Sequence, residues 1–334
     1  MDLITQGAIG AALPQSVSHR RELVIATIVG FIAGMAADLD IFIRSDTDPL
    51  LYFEYHRQFT HSLIFIPVGG LIVGSLLWLL GRRWWNIGFW PLVLLCSLGY
   101  GTHGLLDAMT SYGTLLLWPF SDHRLAFSFV SVFDPLVTVP LIILVVVSLW
   151  RRSPTYARIG LAWVAVYLCL GAIQQHRALD AAMDLAGERG HQPIRMIAKP
   201  TFGNLIVWKA VYETEDAYYV DAVRTGLDVT IYEGNSARRL TADGIPAWLD
   251  PNSQQAKDLA RFNAFSSGFL AVTPYDPLWI IDVRYSMVPN RADGIWSVRL
   301  NPRAGAEDHI VSDVVRVDPQ HGMAVLWSMI WGRY

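Results

Sequence analysis

Cysteine is almost missing: the 334 residues hold two, Cys96 and Cys169, both inside apolar runs. That scarcity excludes a disulfide-stapled secreted module and any zinc site built on paired cysteines. Charge is scarce as well, at 16% of residues with a net of −3. So little charge, without basic excess, excludes a disordered chain, a coiled coil and a nucleic-acid binder. No nucleophile elbow and no HExxH helix occur. The N-terminus has no charged region ahead of its first short apolar stretch and no small-residue cleavage site after it. A cleavable signal peptide is therefore not expected.

What is present is apolar surface, 53% of residues, and it is unevenly spread. Residues 1–176 carry 10 basic and 10 acidic side chains, whereas the remaining 158 carry 16 and 19. The length suits about two domains, and this contrast divides them into a membrane-embedded part, 1–176, and a soluble part, 177–334. Five long apolar segments stand at 23–43, 62–80, 88–108, 129–150 and 159–175. Each is near the ~20 residues a helix needs to cross hydrocarbon, and only a helix bonds its own backbone there. A shorter stretch, 3–13, is expected to enter partway and return through a polar turn at 14–21. The expected fold is an α-helical multi-pass membrane domain, about five transmembrane helices plus a short N-terminal helix, followed by a soluble α+β domain. In that second part 205–212, 218–223, 228–232 and 278–285 have strand character and 257–265 helical character.

Small residues recur within the apolar runs. Gly30 and Gly34, and Gly70 and Gly74, are spaced for close helix packing. GYGTHG at 99–104 matches a dinucleotide-binding pattern by spacing, but it follows no strand and lies inside an apolar helix. Those glycines too read as packing residues. Asp134–Pro135 has the form of an N-cap with proline at the first helical position.

Arginines set the expected orientation. Arg20, Arg21, Arg82, Arg83, Arg151, Arg152 and Arg158 fall in loops on one side; Arg44, Arg57 and Arg124 fall on the other, balanced by Asp46, Asp48, Glu54 and Asp122. The positive-inside rule makes the first side cytoplasmic. Five crossings then put the soluble domain outside the cytoplasm.

Ionisable groups in membrane segments are costly and point to function. Here they recur at one level: Asp38 and Asp40 end the first long segment, His56 and His61 precede the second, and His103 and Asp107 end the third. His103 and Asp107, at i and i+4, share one helix face. His56 and His61 would lie about 140° apart on a continuous helix, so both reach one centre only if the helix starts between them, with Thr60 as a cap. Asp38 and Asp40 are about 200° apart on a helix, so either the helix breaks there or one of them binds and the other does not. Histidine nitrogens with aspartate oxygens suit zinc, and further carboxylates admit manganese, iron or two metals. Arg57 and Arg124 are candidates for holding an anionic substrate group.

At this point the residues resemble a family. HRQFTHS at 56–62, ADLD at 37–40, HGLLDAMTSYGTLLLWPFSDHR at 103–124 and FDP at 133–135 are similar to the membrane-bound, metal-dependent hydrolases of the YdjM-like, LexA-regulated group. The resemblance covers roughly residues 1–150. It implies an inner-membrane hydrolase that cleaves a lipid-like or membrane-associated ester by metal-activated water, with the ligands of a divalent metal, zinc first and manganese or iron as alternatives, among His56, His61, His103, Asp107, Asp38 and Asp40. Asp40 would be ligand or general base, Asp38 an outer or additional ligand. A distant kinship of the group to zinc-dependent phospholipases C implies a phosphoester; a lipid amidase at the same metal, or a metal-binding membrane protein without activity, are the alternatives. One departure stands out: where the family often has histidine in its N-terminal motif, this chain has Gln6. Glutamine is a poor zinc ligand.

Overall fold

The computed structural model describes residues 1–314 and 318–334. The chain forms two compact units: Met1–Phe42 with Tyr55–Ala172 and Phe202–Asn204, and Ile43–Glu54 with Ile173–Thr201 and Leu205–Tyr334.

The first unit is helical. Its helices are α1 (Leu3–Val17), α2 (Leu23–Met35), α4 (Ile66–Gly81), α5 (Phe89–Ala108), α6 (Pro135–Trp150) and the first half of α7 (Thr155–Glu188). The short α3 (Leu51–Tyr55) bridges the loop between α2 and α4. Among the described residues, four apolar stretches are long enough to cross a membrane: Leu23–Phe42, Leu63–Gly81, Phe89–Ala108 and Thr155–Glu188, with Pro135–Trp150 as a shorter apolar helix. Two boundaries differ from the sequence expectation. The fourth apolar run becomes helical only at Pro135, where Asp134 caps it by accepting from the Leu136 amide at 3.1 Å. The first helix runs on through Pro14 to Val17 instead of turning there. Proline leaves a carbonyl four residues back without its helical donor, here that of Gly10. A Cβ on Gly30 would lie 2.3 Å from that oxygen, so the α2 backbone packs directly against it.

Glycines decide how closely these helices approach. A Cβ on Gly99 would meet the Gly30 oxygen at 2.6 Å, and one on Gly70 would meet Ser97 Oγ at 2.1 Å. The GYGTHG run is thus a contact surface of α5. Around it Ala26, Val29, Ala33, Leu92, Cys96 and Tyr100 form a buried apolar cluster.

The second unit is an eight-stranded antiparallel sheet in simple sequential order: β1 (Arg195–Pro200), β2 (Val207–Glu213), β3 (Ala217–Thr225), β4 (Val229–Arg239), β5 (Leu270–Val272), β6 (Trp279–Asp282), β7 (Trp296–Arg299) and β8 (Val311–Val314). Helices α8 (Gln254–Phe265) and α9 (Pro319–Ile330) pack on it. Ile43–Glu54, between two membrane stretches in sequence, belongs to this unit. Leu50, 1% exposed, sits with Leu259, Phe262 and Ile280 in one of its cores.

Candidate metal centre

Four side chains from three places in the chain converge in the first unit. Helix α2 gives way at Met35 to a tighter 3-10 turn, Ala36–Phe42, which carries Asp38 and Asp40. Aspartate at a helix C-terminus opposes the macrodipole and competes for backbone bonds, which weakens the helix there without fixing the turn that replaces it. Before α4 the chain makes a left-handed residue at Arg57 (φ 62) and a short 3-10 turn, Phe59–His61. Helix α5 presents His103 and Asp107 one turn apart, both fully buried.

The donor atoms face one another. His61 Nε2 lies 3.4 Å from Asp38 Oδ1 and 3.3 Å from Asp107 Oδ2; His103 Nε2 lies 3.2 Å and 3.8 Å from the same two oxygens. Four ligands at tetrahedral zinc distances sit about 3.3–3.6 Å from one another. Four of the six edges, at 3.2–3.8 Å, lie close to that figure. His61 Nε2 and His103 Nε2 are buried and make no hydrogen bond, and Asp107 Oδ2 has an ion pair with Arg57 but no hydrogen bond; a cation would relieve the cost of the unbonded nitrogens. These four residues fit a divalent metal.

The outer contacts orient the donors. His103 Nδ1 lies 2.6 Å from the Gly34 carbonyl, which can only accept, so the proton is on Nδ1 and the Nε2 lone pair faces inward. His61 Nδ1 faces Asp40 Oδ2 at 3.2 Å and Thr60 Oγ1 at 3.0 Å. Asp40 also receives Thr60 Oγ1 at 2.8 Å and the Arg57 amide at 3.1 Å, while its other oxygen meets His56 Nδ1 at 2.8 Å. Asp40 thus joins His56 to His61 and supports the donor set from behind. Asp38, Asp40 and His56 form a second, overlapping group. Arg57, 6% exposed, sets Nε 3.1 Å from Asp107 Oδ2 and donates from its terminal nitrogen to Thr110 Oγ1 at 2.9 Å. Arg124 donates to the carbonyls of His56 (3.3 Å) and Gly113 (3.5 Å). Gln6 is fully buried; its amide nitrogen donates to Asp107 Oδ1 at 2.9 Å, and its Oε1 has no hydrogen-bond partner. Asp107 is paired with the Met1 amino group through Oδ1 and with Arg57 through Oδ2, so the three carboxylates Asp38, Asp40 and Asp107 outnumber these two cations and the centre stays net negative, which favours a bound cation.

All the residues singled out in the sequence, Asp38, Asp40, His56, Arg57, His61, His103, Asp107 and Arg124, lie in or against this centre. Thr60 bonds Asp40 instead of capping a helix. Sequence reasoning missed Gly34 as the acceptor for His103, Thr110 as the partner of Arg57, and Gly104. A Cβ on Gly104 would lie 2.1 Å from the His61 carbonyl oxygen, so only glycine lets the histidine-bearing turn close onto α5. The signal was present, since Gly104 lies inside the GYGTHG run.

A second cluster in the other unit has a different character. Asp48, Asp258 and His309 lie within ligand distance of one another, but Arg261 already bridges Asp48 (3.0 and 2.9 Å) and Asp258 (3.0 Å), and His309 Nδ1 sits 2.8 Å from Asp258. Burial works against the Asp48 charge, yet the Arg261 hydrogen bonds hold its carboxyl below the ordinary range. This is an ion-pair network with its cation built in.

Fold and site define a multi-pass membrane protein with a histidine–aspartate centre near one end of its helices. The chain belongs to the YdjM inner membrane protein family, whose model matches residues 1–178. It is similar to the Bacillus subtilis (strain 168) protein YfhP, 24% identical over 250 residues that cover 73% of this chain and 70% of that protein. It is also similar to the Escherichia coli (strain K12) inner membrane protein YbcI, 39% identical over 71 residues that cover 21% of this chain and 39% of that protein. No solved structure matches. The chain is accordingly an inner-membrane protein with several apolar helices.

Proposed function

We propose that this protein is a metal-dependent hydrolase of a lipid-like or membrane-associated ester, with a phosphoester as the leading substrate. The observation that carries the reading is the converging set Asp38, His61, His103 and Asp107, the last three of them buried, with three facing atoms that lack hydrogen bonds. A divalent cation there, zinc by donor chemistry, would supply Lewis acidity to activate water and polarise the ester. Asp40 and Gly34 hold the two imidazoles so that each presents Nε2. The Asp40–His56 pair, with His56 a fifth exposed (21%), handles the proton that water loses and the leaving group gains. Arg124, half-buried beside the His56 backbone, holds the anionic group of the substrate, while Arg57 braces Asp107. The same reading, with the arginine asymmetry, puts the second unit outside the cytoplasm.

One observation favours a second reading. Four protein donors complete a tetrahedron, the pattern of structural zinc sites, whereas catalytic sites keep a position open or expand to five. A metal-binding membrane protein without turnover is that alternative. Turnover of a bilayer panel of phospholipids and amide-linked lipids by the metal-loaded protein separates the cases. Phosphoester cleavage that is lost in His56→Ala with metal retained is the expected result. Amide cleavage would identify an amidase, and stoichiometric metal without turnover on any lipid would favour the second reading.

A further inference from the structure

Helix α7 carries no charge from Ile159 to Ile173, a span of about 22 Å. It then turns abruptly polar at Gln174, Gln175, His176 and Arg177. That switch marks where the helix leaves hydrocarbon. The β3–β4 hairpin is fastened there: Gln174 Nε2 donates to the Thr225 carbonyl at 2.7 Å, and Arg177 donates to the carbonyls of Gly226 (2.9 Å) and Leu227 (3.3 Å). Just past the end of α7, Arg189 bonds Asp221 at 2.7 and 2.9 Å and the Tyr212 hydroxyl at 3.2 Å. Strand β3 therefore runs back along α7, with its Thr225 end at the polarity switch and its β2 turn beyond Arg189, at least about 22 Å away.

The surface at that end is apolar without an apolar neighbour. Leu227 at the hairpin tip is completely exposed (102%), and Val229 is also exposed. Helix α9 ends beside it, since Arg224 Nε donates to the Ile330 carbonyl at 2.9 Å. The inner face of α9 buries Leu326 and Met329 against Val207, Ala222 and Tyr232. Its outer face bears Met323, Trp327 and Trp331, one turn apart and all exposed, with the two indoles in edge contact at 5.9 Å. A helix apolar on both faces needs a second apolar environment, and tryptophan with flanking arginine is the side-chain chemistry of a membrane interface.

We propose that the β3–β4 hairpin tip and the outer face of α9 insert into the headgroup–acyl boundary of the bilayer that α7 crosses, so that the sheet unit rests on the lipid surface. The aliphatic tip and the indoles supply buried area, and Arg177 and Arg224 lie where lipid phosphates would be.

The test uses the full chain in nanodiscs of phosphatidylethanolamine and phosphatidylglycerol, with Cys96→Ala and Cys169→Ser as background. An environment-sensitive fluorophore is placed at Leu227→Cys, at Val229→Cys and, as the distant reference, at Glu215→Cys in the exposed β2–β3 turn. These positions are exposed, so labelling leaves the fold intact. The proposal expects blue-shifted emission at 227 and 229 and quenching by shallow spin-labelled lipids several-fold stronger than at 215. Equal lipid quenching at 227 and 215, or a shielded 227 that cross-links to a second copy without lipid quenching, would overturn it. The readout involves no turnover, so it stands or falls separately from the hydrolase reading.

Discussion

Gln6 is buried against Asp107, at the position where the family resemblance leads one to expect histidine. Its amide nitrogen is spent on Asp107 and its oxygen is left unpaired. An amide oxygen is a weak zinc donor next to an imidazole, so Gln6→His is expected to raise metal occupancy or affinity, read by elemental analysis after identical reconstitution. Unchanged values would place position 6 outside the ligand shell. A second residue-scale expectation concerns Lys209, which is 2% exposed and donates to Ser286 Oγ and the Arg291 carbonyl. Burial pushes its ammonium down to about 7, with Asp293 and Asp282 acting the other way. Between that value and the ordinary 10.5 the unfolded chain holds the extra proton, so stability rises with pH across the window. Lys209→Met should flatten the rise in unfolding temperature; an unchanged slope would contradict the buried charge. Individual residues were the most legible scale: the i, i+4 pair on α5 follows from spacing alone. The roles of Asp38 and Asp40 were not legible, because they depend on a helix tightening to 3-10 geometry within one turn. That detail is settled by the histidines packed against it, not by local propensity.

At the scale of elements, the centre depends on how closely the turn at 59–61 approaches α5, and Gly104 sets that distance. Gly104→Ala removes no donor, yet its Cβ would displace the His61 backbone. The expected consequence is about 10- to 100-fold weaker metal binding, the range for losing a group that supports a ligand. Gly187→Ala, where nothing lies within 4 Å, should leave affinity unchanged. Equal affinities in all three proteins would mean that the approach is not what positions His61. The long apolar helices, and strands β2, β3, β4 and β6, were visible as runs of hydrophobic or β-branched residues. Strands β1, β5, β7 and β8 were not: β5, β7 and β8 have three or four residues, too few to show a period, and β6 showed only because it lies in a longer apolar run, 278–285. Nor was α9, whose apolar residues lie on both of its faces.

For the whole molecule, the topology proposed from the arginine asymmetry has the loop at 81–86 in the cytoplasm and the C-terminus outside. Reporter fusions within that loop and after Tyr334 should report opposite sides, and agreement between them would refute the five-crossing topology. Division by charge separates the apolar residues 1–176 from the rest of the sequence. It could not show that Ile43–Glu54 joins the other unit, because that choice is made by Leu50 and Asp48 meeting partners some 200 residues away. The central claim is that Asp38, His61, His103 and Asp107 hold one metal ion. The most direct measurement is the metal content, by elemental analysis, of the purified wild-type protein beside folded His103→Ala and His61→Ala variants. The account predicts about one divalent ion per chain in the wild type, a four-donor site, and loss of that ion in both variants with the helices still assembled. A full complement of metal in either folded variant would contradict it.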